Sequence, residues 1–133
     1  MTTRYLLDTN AASAILRQRE PVCARAASVP LSTLAISSVT AGEMHYGVAK
    51  RPQATALARL VREFLRYTDI LPWTDEIAPH YGTLRAALEA RGITIAPLDL
   101  MIAAHALAID ATLISADQAL SRIDRLKIED WSA

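Results

Sequence analysis

Four acidic residues stand at the places where an apolar run gives way to a turn or a helix. Asp8 follows Tyr5-Leu6-Leu7 and Asp117 comes soon after Thr112-Leu113-Ile114. Asp99 opens the most apolar helical stretch, directly after an extended segment, and Glu43 lies about one turn into the helix expected after Leu34-Ala35-Ile36. In an open α/β sheet, ligands bind beyond the carboxyl ends of the strands, so these placements bring four carboxylates toward one rim. Hard oxygen ligands of this kind suit Mg²⁺ or Mn²⁺. A cation held there can activate water and neutralise charge building on a phosphate. Without it, the same carboxylates repel one another, which raises their pKa values.

Each acid taken singly also fits a simpler role. Asp8, Asp99 and Asp117 fall at expected helix N-termini, where aspartate caps the chain and complements the helix dipole. Thr40-Ala41-Gly42-Glu43 matches a capping box. Capping and metal binding are compatible, and the joint placement of all four is what favours the metal. Thr9 and Asn10 flank Asp8, and Ser115 precedes Asp117 by two. Their polar groups can orient the acids or a water near the ion, or simply satisfy local backbone.

The other chemistry-bearing residues are less specific. His45, His80 and His105 have no metal-ligand spacing and read as structural. Trp73 and Trp131 read as packing residues, with Trp73, after Pro72, also placed to meet RNA or a partner. Arg59, Arg62 and Arg66 recur three and four apart. They form either a solvated helix face or a stripe that binds phosphate or a partner.

The elements that must position these residues follow from periodicity and breakers. Strands are expected at Tyr5–Leu7, Leu34–Ile36, Ile70–Leu71, Thr112–Ile114 and Lys127–Ile128. Helices are expected at Asn10–Arg17, Val22–Ser28, Val39–Ala49 (with Ser37-Ser38 as natural caps), Gln53–Tyr67, Asp75–Arg91 (closed by Gly92) and Leu98–Ile109. A short helix follows Asp117 to about Arg122. The alternation predicts an α/β fold with a central, mostly parallel sheet sandwiched by helices, helix-rich in keeping with the alanine content.

Length and composition bound the rest. The 133 residues make one compact domain, 1–133, the expectation. The formal net charge is zero, which argues against tight non-specific binding to nucleic acid by bulk electrostatics. Twelve of the fourteen basic residues are arginine, the side chain suited to bidentate phosphate contacts. Cys23 is the single cysteine, so no intramolecular disulfide and no cysteine zinc site is expected, in keeping with a reducing cytoplasm. Met1–Leu7 carries no long apolar core, so no export signal is expected. No apolar run approaches the roughly 20 residues that span a bilayer.

The ordered motifs resemble a family. Leu-Leu-Asp-Thr-Asn at 6–10 is similar to the opening of PIN domains. Ile-Ser-Ser-Val-Thr-Ala-Gly-Glu-Met-His-Tyr-Gly at 36–47 resembles the second motif of the VapC type, with Glu43 in its acidic position. Ile-Ala-Pro-Leu-Asp-Leu-Met-Ile-Ala-Ala-His-Ala at 95–106 resembles the third, with Asp99, and Ala-Thr-Leu-Ile-Ser-Ala-Asp at 111–117 the fourth. Ile-Glu-Asp-Trp at 128–131 is like the usual ending, so the resemblance runs from about residue 4 to 131. It implies a PIN fold, Asp8, Glu43, Asp99 and Asp117 as an acidic catalytic cluster, and Mg²⁺ or Mn²⁺. It further implies hydrolysis of structured RNA, a tRNA or rRNA loop, by activated water. The implied partners are a homodimeric copy and a VapB-like antitoxin peptide in the groove beside the site.

The fourth motif departs from the family pattern, which usually reads Thr-Asn-Asp or Thr-Asn-Asn. Ser115 keeps a hydroxyl, whereas Ala116 removes an amide. Other phosphoryl-handling sites fit worse. Asp8-Thr9-Asn10 lacks the second acid of a haloacid-dehalogenase-type phosphatase, and neither Lys50 nor Lys127 is placed as in a receiver domain. A catalytically inactive PIN-like binding module and a housekeeping RNA-processing nuclease are the alternative readings. The intact acids oppose the first; the short chain opposes the second.

Overall fold

The computed structural model describes residues 3–133, so the expectation about the Met1–Leu7 opening lies partly outside the described residues. The chain runs β1 (Tyr5–Leu7), α1 (Thr9–Leu16), α2 (Val22–Ala27), β2 (Leu34–Ser37), α3 (Ser38–Ala49), α4 (Thr55–Tyr67) and β3 (Asp69–Leu71). It continues with α5 (Ala78–Ala90), α6 (Pro97–Ala108), β4 (Thr112–Ile114) and β5 (Ile128–Glu129). Short 3₁₀ turns cover Leu31–Thr33 and Gln118–Arg122.

The five strands form one sheet in the order β3-β2-β1-β4-β5, and every neighbouring pair is parallel. The chain winds outward from β1 in one direction through β2 and β3, then in the other through β4 and β5. The crevice between β1 and β4 is therefore a topological switch point, where α/β sheets bind ligands. Leu7 pairs with Ile36 on one side and Ile114 on the other. The next residues, Asp8, Ser37 and Ser115, consequently stand at one level, Ser37 still paired with Leu71 of β3.

Successive strand residues point to opposite faces, and both faces are buried. Leu6, Ala35 and Leu113 pack with Leu88 of α5 and Leu100, Ile102, Ala103 and Ala106 of α6. Leu7, Ile36 and Ile114 pack with Ala11, Ala12, Val22, Ala26, Ala41, Met44 and Val61 from the first four helices. Alanine allows close approach: Ala12, Ala103, Ala104 and Ala106 are fully buried.

Helix ends follow local chemistry. Pro97 supplies a ready-made first residue for α6. Gly92, at φ 72°, ends α5 with hydrogen bonds from its own N–H to Glu89 and from Ile93 to Leu88. Asp110 at φ 57° ends α6 in the same way, with Ala111 bonding back to Ala106. Two expectations need correction. Helix α5 begins at Ala78 rather than Asp75, because Thr74 to Ile77 form a turn whose Ile77 N–H bonds the Thr74 carbonyl. The short helix expected after Asp117 is present, as a 3₁₀ helix over Gln118–Arg122. The capping box at Thr40 is not formed. Ser37 caps α3 through a bond from Val39 N–H to its Oγ, and Thr40 lies inside the helix with its buried hydroxyl unpartnered.

Candidate active site

Asp8 is the most enclosed of the four acids, 8% exposed. Its backbone N–H donates to the Ile114 carbonyl at 3.1 Å, extending the β1–β4 ladder by one rung. Its Oδ1 accepts from Ala11 N–H at 2.8 Å and caps α1. Burial pushes the Asp8 carboxyl above its ordinary range. The Ala11 N–H and Ser115 hydroxyl oppose that rise, while the nearby charges of Asp117 and Glu43 add to it.

Asp117 caps the following 3₁₀ turn, its Oδ1 accepting from Ala119 N–H at 2.9 Å, and its own N–H donates to Ser115 Oγ at 3.1 Å. Ser115 thus braces the backbone of Asp117, and its hydroxyl also favours the charged form of Asp8. Asp99 is the third residue of α6 and caps nothing; it is half-buried. Its carboxyl is also raised, first by burial and then by Asp117, Glu43 and Asp8. Glu43, half-buried on α3, accepts a 2.6 Å bond from Thr9 Oγ1.

These couplings bring Asp8, Glu43, Asp99 and Asp117 into one electrostatic neighbourhood beyond the carboxyl ends of β1, β2 and β4. Among the described residues none of the four has a cationic partner. The ion pairs are Arg4–Asp69, Arg85–Glu89 and Lys127–Asp110, all at the periphery. As the side chains stand, no three of the described acidic, histidine or cysteine residues are grouped closely enough to hold one ion. A hard divalent cation is commonly held by one or two carboxylates with water completing its shell. The donor set itself, oxygen only and unpaired, fits a hard divalent cation.

The supporting residues behave differently from one another. Thr9 serves Glu43 rather than its neighbour Asp8. Asn10 is exposed and lines a cleft of about 100 Å³ with Ser115, Ala116 and Trp131. Arg62 and Arg66 line a cleft of about 390 Å³ between α3 and α4, with His45 opposite; Arg59 lies on α4 outside that lining. Trp73 is not free for RNA through its indole N–H, which donates to the Met101 carbonyl at 2.9 Å. Trp131 packs on Tyr5 at 5.3 Å between ring centroids and donates to Glu129. His105 is buried, with Nδ1 hydrogen-bonded to Ser37 Oγ at 2.9 Å. Ser37 and His105 lie 68 residues apart, and no sequence pattern joins them.

The PIN-domain family matches residues 5–126. Ribonuclease VapC2 of Rickettsia felis is 36% identical over 101 residues, covering 75% of each chain. The tRNA(fMet)-specific endonuclease VapC of Salmonella typhimurium is 28% identical over 129 residues, covering 96% of this chain and 98% of that one. The structure of VapBC2 from R. felis bound to a promoter DNA fragment superposes with a TM-score of 0.89 at 30% identity, covering 97% of this chain and 99% of that one. With the parallel sheet and the ordered motifs, these similarities settle the family: the chain belongs to the PIN-domain family, as a VapC-like toxin ribonuclease.

Proposed function

We propose that residues 1–133 act as a single-domain, metal-dependent endoribonuclease in the cytoplasm. The chain would cut a structured RNA, a tRNA or rRNA loop, and be restrained by a VapB-like antitoxin. The observation that carries the reading is the rim of four acids, mutually repelling and without a paired cation among the described residues. Asp8, Asp99, Glu43 and Asp117 would hold Mg²⁺ or Mn²⁺. When bound, such a cation supplies activation of water and neutralisation of charge at a scissile phosphate.

The chain's own residues do the rest. Ala11 N–H fixes one oxygen of Asp8 and leaves the other for the ion. Thr9 fixes Glu43, and Ser115 holds the backbone N–H of Asp117. Arg62 and Arg66, with Arg59 beside them, offer planar donors to RNA phosphate or to a partner. The antitoxin complex is supported by the VapBC assembly that the R. felis structure contains, and a homodimer belongs to the same proposal.

The toxin reading is tested in growing cells. Inducing the chain alone should arrest growth, and co-inducing the small reading frame next to its gene should relieve the arrest. Arrest by Asp8→Ala and Asp99→Ala variants as strong as by the native chain would contradict a nuclease origin.

A further inference from the structure

Two adjacent serines tie the start of α3 to α6. Ser37, fully buried, accepts from Val39 N–H at 3.1 Å as the α3 cap and is bonded at 2.9 Å to Nδ1 of His105, 68 residues away. Ser38 Oγ accepts from the backbone N–H of Trp73 at 3.0 Å, and the Trp73 indole N–H donates to the Met101 carbonyl at 2.9 Å. Met101 and His105 lie one turn apart on α6. The junction is thus pinned to α6 by two connections, one direct and one through Trp73. Tyr81 of α5 packs edge-on against Trp73 at 6.3 Å and steadies the second.

Glu43 sits on the helix that Ser37 opens, and Asp99 lies two residues before Met101. Both pinned helices therefore carry one acid of the rim, and neither connection touches those acids. A packed helix pair can slide by fractions of an ångström unless polar bonds fix its register. A carboxylate site for a small divalent cation tolerates little of that sliding, because Mg²⁺ demands near-ideal octahedral geometry.

Granting the four acids as the metal site, we propose that Ser37, His105 and Trp73 are positioning residues that set the spacing between Glu43 and Asp99, and thereby the affinity of the site for its divalent cation.

The test uses the full chain, Mn²⁺ as the probe, and calorimetric titration, with metal-free melting as the control for folding. Trp73→Phe keeps a six-membered aromatic ring at the site and removes the pyrrole ring with its N–H donor, the loss of packing being read in the metal-free melting control; Ser37→Ala removes the other connection; Ser37→Thr keeps a hydroxyl. Trp73→Phe and Ser37→Ala should each remain folded and bind Mn²⁺ roughly 3- to 10-fold more weakly, less than the roughly 10- to 100-fold typical of groups bonded directly to a metal ligand, because these connections act through the helices. Ser37→Thr should recover most of the native affinity. Native affinity in both folded deletion variants would overturn the positioning role, as would failure of Ser37→Thr to rescue. If Ser37→Ala does not fold, Trp73→Phe alone decides. Asp8→Asn and Asp99→Asn separate the two levels. Should these leave Mn²⁺ binding intact, the metal-site reading fails; should they abolish it while Trp73→Phe and Ser37→Ala bind normally, only the positioning role fails.

Discussion

Thr9 Oγ1 donates to Glu43 Oε1 at 2.6 Å, so the residue after the first aspartate holds the acid of the third helix. The bond spans 34 residues and fixes which way the Glu43 carboxylate faces. A carboxylate restrained by a hydroxyl needs less ordering when it meets an ion or substrate. Thr9→Val replaces that hydroxyl with a methyl of similar size, and Thr9 is only half-buried. The variant should fold normally and cleave RNA about 10-fold more slowly at limiting metal, with part of the loss recovered by excess Mn²⁺. Initial rates across a metal titration measure this; native rates at every metal concentration would remove Thr9 from the site.

The Asp8 carboxyl gives a pH signature. Burial foremost holds its pKa above the ordinary 3.8. The folded chain therefore takes up this proton more readily than the unfolded chain. Its contribution to metal-free stability is fully present below 3.8 and is lost as pH rises through the raised native value. Asp8→Asn removes the charge and keeps a side chain that caps helices well. In EDTA at neutral pH the variant should melt at or above the native temperature, and the gap should narrow on acidification. Added Mn²⁺ should raise the melting temperature of the native chain only. A variant that is less stable at neutral pH without metal would show that the cap outweighs the buried charge.

His105 moves stability the other way. Burial holds its imidazole below the ordinary 6.5, so the folded chain resists a proton that the unfolded chain accepts. The stability it contributes is fully present above 6.5 and is lost as pH falls toward the depressed native value. Urea unfolding of the native chain and of His105→Gln should differ most near neutrality, and the difference should shrink by about pH 5.5. A constant difference across that range would mean that His105 carries no proton linkage.

Much of the fold was legible because short apolar runs such as Tyr5-Leu6-Leu7 and Thr112-Leu113-Ile114 end at polar residues with a reason to follow a strand. The rim was legible for the same cause: Asp8 and Asp117 mark the ends of neighbouring strands, so parallel pairing places them together. What sequence could not give was contact across the sheet. Thr9 adjoins Asp8 in the chain, yet its hydroxyl reaches Glu43. Ser37 and His105 stand 68 residues apart and meet only when β2 and α6 pack on one another. The capping box failed at Thr40 because β2 ends at Ser37, whose hydroxyl opens the helix three residues earlier.

The central claim is that the acidic rim cuts RNA with the help of a divalent cation. It is tested most directly by incubating the purified chain, free of antitoxin, with a total tRNA and rRNA pool and mapping new 5′ ends. Parallel reactions would contain Mg²⁺, Mn²⁺ or EDTA, beside folded Asp8→Ala and Asp99→Ala variants. Discrete cuts that need metal and vanish in both variants are the predicted result. Cuts that persist in EDTA, or in either variant, would contradict it.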